Sequence, residues 1–172
     1  MSANQKKDAK RHWSDEEIKK ELAKFDEKIE DSKKNEGEIE VRDHILDKAK
    51  FLKNDAMDYP AAEKIYRDAY DKSGGASKKM EILFDVLLMN LEKLDVESVK
   101  KDIATCNQLV KDGADWDKKN KLKIFEGVYF MLIRDFSAAA KNFISSTATF
   151  TCTELMTYTE FAFYTVVTAT MT

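Results

Sequence analysis

One proline and five glycines are all that punctuate this 172-residue sequence, while apolar side chains recur along it at steps of three and four. A many-stranded β fold needs turn residues at close intervals, with glycine or asparagine at the positive-φ positions of its hairpins. This chain cannot supply them, so an all-α fold with short connections is expected. Ile18, Leu22, Phe25 and Ile29 form the first stripe, and the remaining faces of that segment are almost all Lys, Glu and Asp.

Helix boundaries are legible in the same way. Residues 1–12 are polar and mixed in charge and are expected to be a disordered tail. Ser14 and Glu17 have the spacing of a capping box, which opens a long N-terminal helix over 13–36. Asn35 and Gly37 close it. Helical repeats are expected over 37–172, beginning with Ile39, Ile45, Leu46, Ala49 and Leu52. Asp58 and Pro60 start the next helix, with proline at the first helical position, and Gly74-Gly75 end it. Met80, Leu83, Phe84, Leu87, Leu88 and Leu91 make the most apolar face, followed by Val96, Val99, Ile103, Cys106, Leu109 and Val110. Gly113 stands where a left-handed cap is wanted. Two further helices are expected at roughly 116–133 and 136–148. Thr151 and Glu154 have the spacing of a second capping box, leading into Leu155–Met171. Ten threonines between Thr147 and Thr172 leave a strand open there, although Leu155, Tyr158, Phe161 and Ala162 keep helical spacing.

Helices arriving in pairs invite a search for a period. Gly127, Phe130, Ala139 and Phe143 follow the small and aromatic order of a tetratricopeptide unit, and Ala62, Tyr66 and Ala69 match its second half. Ala62 and Ala139 stand 77 residues apart, two periods of about 38.5 against the ~34 of that repeat. The middle unit, near Lys100–Ala104, lacks the signature. The expected architecture is an α-solenoid of tetratricopeptide-like helix pairs preceded by the long N-terminal helix, with a broad surface for protein partners.

Composition excludes several function classes. Lys and Arg number 29 against 32 Asp and Glu, a net charge of −3, so no global field attracts nucleic acid or an anionic membrane. No uninterrupted apolar run reaches the roughly 18 residues of a membrane span. Cys106 and Cys152 stand far apart and imply no disulfide framework, which fits a reducing compartment.

No constellation of catalytic residues emerges. His12 and His44 lack the partners of a metal site, and Cys106 falls on an apolar stripe as a small hydrophobe. Lys118, Lys119, Lys121 and Lys123 read as a solvated helix face, not a nucleic-acid patch. Acidic pairs such as Glu16-Glu17, or Glu36 with Glu38, read as solvated charges. No glycine-rich phosphate loop is present, and no metal, cofactor or enzyme activity is expected. Trp116, beside the turn at Gly113, is a candidate partner anchor competing with a core role. Gly127 is expected to allow close helix packing.

Larger blocks carry a resemblance. "GADWDKKNKLKIFEGVYFMLIRDFSAAAKNF" (Gly113–Phe143), "ELMTYTEFAFYT" (Glu154–Thr165), "KKNEGEIEVRD" (Lys33–Asp43) and "YDKS" (Tyr70–Ser73) resemble the 26S proteasome non-ATPase regulatory subunit 6 family. The resemblance covers roughly residues 15–170. It implies a non-catalytic scaffold of the regulatory particle lid in ubiquitin-dependent degradation, in cytoplasm and nucleus, with other lid subunits as partners. It also implies helical repeats leading into a PCI domain, of which this sequence is expected to be an N-terminal portion. The related signalosome subunit one shares that architecture, and a free-standing peptide-binding repeat module is the reading from another class. The apolar final segment is expected to drive self-association through Phe161, Phe163, Tyr164 and Val167.

Overall fold

The computed structural model describes residues 13–35 and 37–172. The tail expected over 1–12, His12 and Glu36 lie outside them. The described residues form eight α-helices and no strand. They are α1 (Asp15–Asn35), α2 (Glu38–Asn54), α3 (Tyr59–Lys72), α4 (Ala76–Glu92), α5 (Val96–Lys111), α6 (Trp116–Leu132), α7 (Phe136–Ser146) and α8 (Tyr158–Thr170), with a 3₁₀ turn at Thr147–Thr149. The fold is the all-α helical repeat expected from the sequence. It divides into two compact units, Met1–Ser73 and Gly74–Thr172.

In the first unit α1 packs on α2, and α2 on α3. The box at the start of α1 is formed: the Ser14 N–H donates to Glu17 Oε2 at 2.7 Å and the Glu17 N–H to Ser14 Oγ at 3.3 Å. Phe51 receives Trp13 edge-on at 5.3 Å and Phe25 at 5.6 Å between ring centroids. α1 buries only Ile29 and Ser32 fully, so its other apolar stripe residues are half-covered. Pro60 occupies the second helical position, not the first, because Asp58 caps the helix and Tyr59 begins it. Its missing N–H is still one of the four that no helix can pair internally.

In the second unit α4 pairs with α5 and α6 with α7, while α4 also touches α6 and α7 carries α8. Residues of α4 and α6 meet in parallel register. The Asp115 N–H donates to Ser77 Oγ at 2.9 Å, Lys118 reaches Glu81 at 2.7 Å, and Phe84 stacks on Phe125 at 5.1 Å. Gly127 lets α7 approach as expected. A Cβ there would lie 2.4 Å from Phe143 Cε1, inside a ring that is wholly buried.

The turns within the two pairs of the second unit follow one plan, which explains how so little loop suffices. Leu94 and Arg134 take the left-handed conformation, with φ of 57° and 63°. The N–H of Leu94 then reaches the Leu91 carbonyl and that of Asp95 the Asn90 carbonyl, while Arg134 and Asp135 repeat this on Met131 and Phe130. Carbonyls left over at the helix end are thereby satisfied. The next residue is an aspartate whose carboxylate accepts the N–H three positions on: Asp95 from Ser98 and Asp135 from Ala138. In the first unit Met57 (φ 59°) and Asp58, which accepts from Ala61, form a longer variant of this junction, in which the Asp58 N–H reaches the Leu52 carbonyl.

These aspartates set the register of the repeat. Four residues after each stand Ala62, Val99 and Ala139; eight after, Tyr66, Ile103 and Phe143; eleven after, Ala69, Cys106 and Ser146. All nine are buried. The middle unit lacks the signature in residue type, as expected, but keeps its register and burial. Valine and isoleucine fill positions that alanine and an aromatic fill elsewhere, because the site requires volume and burial and not one residue type.

The last helix begins later than expected. Thr157, not Thr151, caps it: Thr157 Oγ1 accepts the Glu160 N–H at 3.2 Å, and the Thr157 N–H donates to Glu160 at 2.8 Å. Glu154, required for the earlier box, is instead ion-paired with Lys121. Cys152 and Met156 are buried in the connection, which holds Leu155 in a turn before the helix. α7 likewise stops at Ser146 and tightens into the 3₁₀ turn before 148.

Candidate protein interaction surface

Side chains capable of chemistry are dispersed or enclosed. Among the described residues no three His, Cys, Asp or Glu gather as a metal site. His44 sits half-buried on α2. Cys106 and Cys152 are buried thiols. Burial first, and the nearby Glu154 second, push the Cys152 thiol up to about 12, so it stays protonated at neutral pH and is no nucleophile.

Two of the lysines on α6 are neutralised locally. Lys118 pairs with Glu81 at 2.7 Å and Asp117 at 3.1 Å, and both pairings raise its pKa against the opposing effect of burial, the largest single influence. Lys121 pairs with Glu154 and lies 4.9 Å over the Phe84 ring. These contacts tie α6 to α4 and to the connection before α8. Among the described residues no helix is long and apolar enough to cross a membrane.

Several large apolar side chains are nevertheless exposed. Trp116 is 68% exposed at the first turn of α6, so core packing, its competing role, is excluded. Leu94, Leu132 and Ile133 are exposed at the turns after α4 and α6. Phe163 and Val166 are each 63% exposed on α8, with Tyr164 and Val167 at the flanks of that face. Phe161 is corrected: it points inward, 1% exposed, between Phe143 and Phe150 at 5.6 and 4.6 Å, and cannot anchor a partner. Val166 was not legible as a surface residue. Both faces of α8 mix threonine with apolar residues, so polarity does not distinguish the buried Thr168 from the exposed Val166.

The family model described as 26S proteasome subunit RPN7 matches residues 11–172. The chain belongs to that family. RPN7-family relatives include the 26S proteasome non-ATPase regulatory subunit 6 homolog of Arabidopsis thaliana, 38% identical over 152 residues. The 26S proteasome non-ATPase regulatory subunit 6 of Oryza sativa subsp. japonica is 37% identical over 152 residues. Both alignments take in 88% of this chain and 39% of the relative, so the chain spans about two fifths of their length. The 26S proteasome regulatory subunit RPN7 of Saccharomyces cerevisiae is 27% identical over 183 residues, covering all of this chain and 42% of that protein. The RPN7 match spans residues on both sides of Gly74.

Proposed function

We propose that this RPN7-family chain is a non-catalytic scaffold in the lid of the proteasome regulatory particle, contributing to ubiquitin-dependent degradation by holding neighbouring lid subunits. One observation carries the reading: large apolar side chains stand exposed on helices and turns, Trp116, Leu94, Ile133, Phe163 and Val166, and among the described residues no three His, Cys, Asp or Glu gather as a metal site. Buried aromatic anchors surrounded by near-neutral contacts are how protein interfaces obtain affinity. Catalysis would instead need ionisable groups converging in a cleft. Cytoplasm and nucleus are the compartments such a role requires. The PCI domain expected from the resemblance belongs to this reading as the region following the repeats in a full-length member.

The test is binding to purified lid lacking its own subunit 6, with lid-like signalosome lacking subunit one as the second arm. Retention on the lid alone supports the proposal, and Trp116→Ala is expected to weaken it about thirtyfold, the ~2 kcal/mol of an interface anchor. Preferential retention on the signalosome moves the assignment to that complex. Binding only to short peptides moves it to a free-standing repeat module.

A further inference from the structure

We propose that residues 151–157 form a strap latched to α6 by Lys121, and that releasing the latch lets the strap and α8 lift as one piece while α4–α7 stay folded. The segment follows the 3₁₀ turn at Thr147–Thr149 and leads into α8. Its N–H groups bond locally: Thr153 donates to the Thr151 carbonyl, and Leu155 and Met156 donate to that of Cys152. Thr157 opens the capping box of α8 with Glu160. Phe150, the residue before the strap, also faces α8, with its ring centroid 4.6 Å from Phe161 and 5.7 Å from Tyr158. Strap and helix therefore hold to each other.

Two kinds of contact hold that piece down. Cys152, Met156 and Phe161 are buried, and Phe161 meets Phe143 of α7 edge-on at 5.6 Å. The polar hold is narrower. Among the described residues no backbone hydrogen bond runs from the strap to α4–α7, and the one ion pair or side-chain hydrogen bond from it to an earlier helix joins Glu154 to Lys121. Lys121 is positioned from its other side by the Phe84 ring of α4, 4.9 Å away.

A segment without backbone bonds to its neighbours can open at a lower cost than the whole domain. The latch biases that opening only a few-fold, because its side chains are 26% and 34% exposed and such pairs are weak and screened by salt. Position of the last helix is thereby tied to ionic strength through one lysine.

N-ethylmaleimide labelling of the full chain, with each cysteine followed by peptide mass spectrometry, tests this. Cys152 is 0% exposed beneath the strap, and Cys106, equally enclosed on α5, reports opening of the helices below. Cys152 should react at least about tenfold faster than Cys106. Lys121→Met and Glu154→Gln, each with unchanged circular dichroism, should both speed Cys152 about two- to fivefold and leave Cys106 unchanged. Glu154→Gln keeps Lys121 over the Phe84 ring, so it separates the latch from the ring contact. Raising NaCl from about 0.05 to 1 M should speed Cys152 similarly in the unsubstituted chain and not in Lys121→Met. Equal rates at the two cysteines overturn the proposal, as does a substitution effect on both cysteines alike, on neither, or from Lys121→Met alone, or a salt response that survives Lys121→Met.

Discussion

At the scale of single residues, Gly127 and the left-handed turn positions make opposite demands. Gly127→Ala adds a Cβ 2.4 Å from a Phe143 ring atom, and Phe143 is enclosed. The gain in helix propensity, about 1 kcal/mol, is outweighed by overpacking. A net loss of about 1–3 kcal/mol is expected, read as a lower urea midpoint. Gly74→Ala meets nothing within 4 Å and should stay within about 0.5 kcal/mol. Arg134 holds φ at 63°, a conformation that side-chain-bearing residues adopt at a cost of roughly 1–2 kcal/mol. Arg134→Gly removes that strain but adds unfolded-chain entropy of about 0.5–1 kcal/mol. The net expectation is a gain of about 0.5–1 kcal/mol by the same measurement.

At the scale of helices, boundaries and their caps decide the fold. Thr157→Ala should cost about 1 kcal/mol and reduce the helical signal, whereas Thr151→Ala should do neither, because only the first residue caps α8. Two cap carboxylates also give the protein a pH dependence of known sign. Hydrogen bonds from the Ser98 backbone and side chain hold Asp95 below the usual 3.8, and those from Thr157 hold Glu160 below the usual 4.5. A depressed folded-state pKa contributes stability that is present above the unfolded value and lost as pH falls through the folded one. Urea midpoints should therefore be flat from pH 7 to about 5 and fall below about 4, and Asp95→Asn should reduce that slope.

Most of these boundaries were legible because caps are local chemistry. Ser14 with Glu17, Gly113 with its φ of 96°, and the junction at Arg134-Asp135 can be read from a few neighbouring residues. The register of the middle repeat was not, since Val99 and Ile103 satisfy burial without the expected small and aromatic types. The Thr151 box failed for a tertiary reason: Lys121, 33 positions away in sequence, captures the glutamate it requires.

At the scale of the whole molecule, fold class was written in the near-absence of breakers, whereas the candidate interaction surface was only partly visible. Trp116 and Phe163 could be named from sequence, but which face of α8 turns outward depends on Phe143 and Phe150 receiving Phe161. The proposed scaffold role rests on that distribution, with enclosed thiols, two paired lysines on α6 and exposed apolar side chains on helices and turns. Hydrogen–deuterium exchange on the chain, free and bound to lid lacking its own subunit 6, tests the central claim most directly. The account predicts added protection confined to segments carrying exposed anchors, around Trp116, the turns at Leu94 and Ile133, and α8, with the enclosed middle of α4 unchanged. Identical exchange in the two samples, with the subunits mixed at saturating concentration, would contradict it.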